Sequence, residues 1–365
     1  MALPLNPAMQ PAPRDASVLD SLDAWQELYD DLSVFQTAER AGSDEAEGAM
    51  MVGWRVAGGA VSIALALVGG AVAARQQAAP LPLVVSPLPP PPDRNPAARV
   101  VLAEYRHDDL LWENDRTAHR IYGHALEAIE PPSGSGIDSW GKNVAWPFAD
   151  RQLRTGDQHG FHGEGMDFYN VGTGRGAGGL GVWHDNKLWT SRNFVRHRVL
   201  RDGPDVADFE VDYAPWPVDV DRKVWETRRF TLPLGTHFTR MVSTLSSDRA
   251  GPLVVGIGIG KHAAGAGGQI SVDARRGILS FWGPENGDHG RMAIAIRVDP
   301  AMIVDTRADA DNHLVLLRVQ PGRPFVYYSG SAWSLGQGGF TTRAAWDAHV
   351  AAERLDFAPP PASAR

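Results

Sequence analysis

Short runs of alternating apolar and polar residues, each closed off by glycine, proline or asparagine, constrain this chain more than any other feature. Phe209-Glu210-Val211-Asp212-Tyr213 alternates with the period of a half-buried strand. Met292–Val298 and Leu314–Val319 are β-rich runs bounded by turn residues. Leu253–Gly260 alternates apolar residues with glycine, the pattern of a strand that another backbone approaches closely. Turn signals recur at Asp202-Gly203-Pro204, Gly251-Pro252, Glu285-Asn286-Gly287 and Gln320-Pro321-Gly322. Within the folded part, helical patterning is confined to Arg343–Leu355, with Thr342 placed as a cap, and to a short stretch near its start. No alternation of strand and helix supports a doubly wound sheet. The pattern predicts a mainly β protein, a large antiparallel β-sandwich with few short helices.

Residues 1–98 read differently. Val56–Ala74 is an uncharged run rich in Ala, Val, Leu and Gly, with Arg55 before it and Arg75 after it. It is long enough to cross a membrane. It serves either as the core of a signal peptide starting at Met50 or Met51, cleaved near Ala71-Val72-Ala73, or as a membrane anchor through residues 52–74. Residues 1–49 are then a mis-called start or an acidic cytoplasmic tail, 50–75 the signal or anchor, and 76–98 a Pro/Ala-rich spacer containing Pro89–Pro92. The folded domain is expected at 99–358, with 359–365 a tail. Export to the periplasm or beyond, with or without inner-membrane anchoring, is the corresponding location.

Composition removes several function classes. With 365 residues and a formal net charge of −8, the chain has no basic patch of the kind that nucleic acid requires. It has no cysteine, which excludes disulfides, zinc–thiolate sites and thiol catalysis. Gly174, Gly176 and Gly179 match a dinucleotide-binding spacing, but a strand-like Leu180-Gly181-Val182-Trp183 follows where that motif needs a helix. No cofactor is expected. His159-x-x-His162 in a loop is a poor metal spacing without a third ligand, so a divalent metal has no support.

The chemistry concentrates in two stretches. Leu111-Trp112-Glu113-Asn114-Asp115-Arg116-Thr117-Ala118-His119-Arg120-Ile121-Tyr122-Gly123 combines acids, arginines, an amide and aromatic rings, the groups that hold a polar ring bearing a carboxylate. His159-Gly160-Phe161-His162-Gly163-Glu164-Gly165-Met166-Asp167-Phe168-Tyr169 interleaves proton carriers with glycines, which let a backbone approach a ligand.

Together with Ser135–Lys142 and Tyr327–Ser334, these stretches resemble the bacterial family called domain of unknown function 4861 over about residues 99–358. The resemblance implies a fold similar to the galactose-mutarotase-like supersandwich and a setting among secreted carbohydrate-utilisation proteins. His119 departs from the pattern, which leads one to expect a large apolar residue there.

Each candidate has a plain structural alternative. His162, Tyr169, Asp167 and Glu164 are read as catalytic, or as a polar loop bonded to itself. Asn114, Asp115, Arg116 and Arg120 are read as substrate-binding, or as a surface ion-pair network. Lys142 and Trp140 are read as a carboxylate contact and its neighbour, or as a solvated lysine beside packed rings. His159 and Asn193 complete the substrate-binding set. The leading reading is an exported enzyme acting on uronic-acid-containing oligosaccharides or polysaccharides by lyase-like elimination. Arg116 or Lys142 would neutralise the carboxylate, His162 act as base and Tyr169 as acid. The alternatives are a glycoside hydrolase using paired carboxylates from Asp115, Glu164 and Asp167, or a non-catalytic carbohydrate-binding module.

Overall fold

The computed structural model describes residues 81–360 apart from 132, 262 and 264–266. The apolar run at Val56–Ala74 lies outside these residues. Among the described residues no helix is long and apolar enough to cross a membrane.

Three antiparallel sheets form the domain. The largest has eight strands, in the order Gln269–Asp273, Ile278–Trp282, Met292–Val298, Phe325–Trp333, Phe238–Ser247, Arg222–Pro233, Val206–Asp219 and Arg196–Asp202. A five-stranded sheet runs Ile303–Ala308, Asn312–Val319, Leu253–Gly260, Ala177–His184 and Lys187–Trp189. Another five-stranded sheet runs Arg99–Ala103, Asp109–Glu113, Ala118–Ile121, Asp138–Lys142 and Gly165–Met166. The sandwich follows from the alternation. Phe209, Val211 and Tyr213 project from one face of their strand and join Phe230, Met241, Ile294 and Tyr327 in a core that also takes Leu180, Val255, Ile257 and Val315 from the second sheet and Leu110, Trp112 and Ile121 from the third.

The opposite face of the large sheet is covered by the helix Arg343–Ala352, which buries Trp346 and Val350 against Phe238, Val326 and Tyr328. Thr342 caps it, its hydroxyl accepting from the Ala345 amide at 3.2 Å, and it ends before the Leu355 that sequence patterning had suggested. The glycine-rich 174–179 segment runs into a strand, Ala177–His184, and not a helix. The alternating glycines of Leu253–Gly260 do mark a close approach. A side chain at Gly258 would meet the Arg175 stem at 2.9 Å, and one at Gly256 would meet Leu188 at 2.8 Å. The neighbours are side chains more than backbone.

From residue 81 onward the proline-rich stretch lies against the domain. Val85 donates its amide to Phe161 O at 3.0 Å, Arg151 donates to Pro89 O at 2.7 Å, and Leu88 is buried with Phe148 and Leu153. Prolines fix the extended backbone that lets this segment lie along the domain.

His119 occupies an apolar position. Its ring stacks on Trp112 at 5.0 Å between centroids and is 1% exposed. Burial drives its pKa down to about 4, so it packs there as a neutral aromatic ring.

Candidate functional site

Arg120 organises the site. It lies on Ala118–Ile121 in register with Asp138 of the next strand, and its side chain is 6% exposed. Nε and Nη2 donate to Asp138 Oδ2 at 3.0 and 2.8 Å, and Nη2 donates also to Asp167 Oδ2 at 2.9 Å. Nη1 stands 3.5 Å from Asp109, whose oxygens have no hydrogen-bond partner. The guanidinium also faces the rings of Tyr122 and Trp140 at 5.2 and 5.3 Å.

Three carboxylates crowd one buried guanidinium, an arrangement in which burial and like charge both favour the protonated acid. Burial pushes the Asp109 carboxyl up to about 7 against the pull of Arg120 and Arg106. Burial, and then the neighbouring Asp138, raises Asp167 well above the ordinary carboxylate range, with Arg120 opposing. Asp167 is therefore held toward its neutral, proton-donating form.

Asp167 and Arg120 open onto a cleft of about 510 Å³, whose other polar walls include Arg106, Tyr122, Glu130, Gln158, His159 and Tyr169. The volume is within the range of ligand sites. Arg106 comes from the turn after the first strand and bonds Glu130 at 2.5 Å. His159 is an accessible titratable group, its side chain 71% exposed. Its Nδ1 sits 2.8 Å from the carbonyl oxygen of Asp167, and donation there leaves the Nε2 lone pair as the acceptor, facing the Gln158 side-chain amide nitrogen at 3.3 Å. The Tyr169 hydroxyl has no partner, and burial pushes its pKa upward.

The structure thus gathers Arg120, His159, Asp167 and Tyr169 at one cleft and leaves the other sequence candidates elsewhere. His162 is 5% exposed and both its ring nitrogens face backbone carbonyls, Ser86 O at 2.6 Å and Asp157 O at 2.9 Å, so it has no free nitrogen to act as base. Glu164 pairs with Arg151 and accepts from Trp146 Nε1 at 3.0 Å. Lys142 is buried on Glu113 at 2.5 Å and on Trp146 O at 2.7 Å, which leaves it unable to meet a substrate carboxylate. Burial lowers its pKa while Glu113 opposes. Asn114 closes a turn, accepting from the Arg116 and Thr117 amides and donating to Pro233 O and Thr236 O. Asp115 accepts from the Gly235 amide and pairs with Arg116 at 3.3 Å. Neither Asp115 nor Arg116 lines the cleft. Trp140 is a buried ring donating to Asp138 at 3.0 Å. Asn193 is buried, donating to Gly123 O and Ser133 Oγ.

Sequence reasoning missed Arg106, Asp109 and Glu130. A usable signal was present: Asp109, Arg120 and Asp138 are charges next to large apolar residues in strand-forming stretches, and buried charges need one another. Among the described residues no group of His, Asp and Glu is arranged to hold a metal ion.

The antiparallel sandwich with its aspartate–arginine cleft belongs to a known class of domain. The chain is a member of the family described as Domain of unknown function (DUF4861), whose model matches residues 88–362. The match begins inside the proline-rich stretch, in keeping with its docking on the domain. Among curated proteins the chain is similar to Uncharacterized protein P7 of Formosa agariphila, 28% identical over 261 residues, covering 67% of this chain and 64% of that protein. It therefore spans slightly less than two thirds of that relative. Among solved structures it is similar to a heparinase III gene product, at 9% identity and a TM-score of 0.34, covering 65% of this chain and 35% of that one. It is also similar to the galactosidase domain of an alpha-galactosidase-sucrose kinase, at 10% identity and a TM-score of 0.31, covering 64% and 42%.

Proposed function

We propose that the cleft binds an oligosaccharide carrying a uronic acid and breaks it by acid–base elimination. The observation that carries this reading is the neutral-leaning carboxyl of Asp167, held by Arg120 beside the open ring of His159. Elimination next to a carboxylate needs a cation on that carboxylate, a base for the adjacent proton and an acid for the leaving oxygen. Arg106, with Nη1 unpartnered, and Arg120 supply the cations. His159 Nε2 is the base. Asp167 gives its proton to the leaving oxygen, and Arg120 steadies the carboxylate that results. Tyr122 and Phe168 offer flat walls for a sugar ring.

These roles differ from those drawn from sequence. His162 and Tyr169 give way to His159 and Asp167, and Arg116 and Lys142 give way to Arg106 and Arg120. Of the three carboxylates in the hydrolase alternative, only Asp167 lines the cleft. Export of the protein is part of the proposal, since uronic polymers lie outside the cell.

Incubating the purified protein with uronide oligosaccharides tests the reading. A new conjugated double bond, followed by ultraviolet absorbance, is expected. Saturated products would favour hydrolysis, and binding without products would make the protein a carbohydrate-binding module.

A further inference from the structure

The loop that carries His159 into the cleft is held from behind. His162 lies in that loop with Nδ1 2.6 Å from Ser86 O and Nε2 2.9 Å from Asp157 O. Both ring nitrogens therefore face backbone carbonyl oxygens, and an N–H on either one donates to its neighbour. The Asp157 carboxylate lies 3.4 Å from Nε2. Next to it, the Val85 amide donates to Phe161 O at 3.0 Å. On the cleft side, Gln158 O accepts from the Asp167 amide at 2.9 Å, and His159 Nδ1 meets Asp167 O at 2.8 Å. One short loop thus joins the proline-rich segment on one side to the proton donor of the cleft on the other.

We propose that His162 is a positioning residue that clamps the segment Leu81–Pro92 onto the loop Asp157–Gly163 and thereby fixes Gln158, His159 and Asp167 in the cleft. The inference rests on the cleft being the ligand site. It gives the conspicuous histidine of the glycine-spaced loop a task that needs no free nitrogen, and it makes the proline-rich segment part of the site's support. Gln152 also holds the loop, donating to Gln158 O at 2.8 Å and Gly160 O at 3.0 Å. Loss of His162 should therefore loosen the loop without unfolding the sandwich.

Hydrogen exchange on the full chain, with His162→Ala and His162→Asn, separates the outcomes. The asparagine amide can still donate toward Ser86 O. The alanine variant should raise exchange at the Val85 and Asp167 amides by roughly tenfold or more, as local opening without global unfolding does, and leave the strand Phe325–Trp333 unchanged. The asparagine variant should restore part of the protection. The Kd for a galacturonate trisaccharide should rise in the same order. Unchanged exchange at Asp167 overturns the clamp, and so does a loosened loop with an unchanged Kd. If the wild-type protein ignores the trisaccharide while the exchange pattern holds, the sugar reading fails and the clamp stands. Should the alanine variant not fold, the asparagine variant against wild type carries the same comparison.

Discussion

At the scale of single residues, the buried arginine with three aspartates decides both stability and chemistry. Asp167→Asn keeps an oxygen for Arg120 but has no proton to give. Turnover of a uronide should fall by about a hundredfold or more, with stability changed by less than about 1 kcal/mol, as urea denaturation would report. Equal turnover in the variant would remove Asp167 from the acid role. Arg120→Leu is expected to behave in the opposite manner. It strips the guanidinium bonded to both Asp138 and Asp167, and breaking a buried ion cluster from one side typically costs about 3–5 kcal/mol. The carboxylates left behind can relieve one another by taking up protons. The loss should therefore be smaller near pH 5 than near pH 8, and a loss independent of pH would show that these carboxylates do not titrate together.

At the scale of elements, the strands were legible and the site was not. Met292–Val298 and Leu253–Gly260 are strands over the residues their patterns marked, because one buried face enforces a period of two wherever the strand lies. Thr342 could be read as a cap because a cap is a local bond. Thr342→Ala should cost about 1 kcal/mol in denaturation midpoint experiments, since the helix it starts covers one face of the large sheet. An unchanged midpoint would mean that packing of Trp346 alone fixes the helix. The cleft is assembled otherwise. Arg106, Arg120, Glu130 and Asp167 come from four separate segments, and no spacing within one segment predicts that they meet. The loop 157–169 was rightly read as rich in proton carriers, but a sequence does not say which ring nitrogens face carbonyls. His162 and His159 look alike in the sequence, three residues apart. The strand pairing and the docked proline segment bury one and leave the other at the cleft.

For the whole molecule, these local charges fix how stability responds to acid. His119 titrates near 4 in the fold, lowered by burial, and His237 near 3, lowered by burial and then by His349 and Arg116. An unfolded histidine titrates near about 6.5. Between about pH 6.5 and 4 the unfolded chain thus binds protons at these positions that the native one refuses. The stability they contribute is present above that window and lost as pH falls through it. Asp109 has the opposite sign. Its native pKa of about 7 lies above the unfolded value of 3.8, so its contribution is full below the unfolded value and fades as pH rises toward 7. Each group bends the stability curve by up to about 1.4 kcal/mol per pH unit within its window. His119→Phe keeps the stack on Trp112 and removes one proton. Its denaturation free energy, followed from pH 4 to 7, should rise with pH less steeply than wild type by about that amount. Asp109→Asn should steepen the rise by a similar amount, because the native proton uptake that opposed the histidines is gone. Parallel curves for wild type and His119→Phe would mean that His119 is charged in the fold or that the unfolded chain does not take up its proton. The neutral stacked ring described for this position would then be wrong.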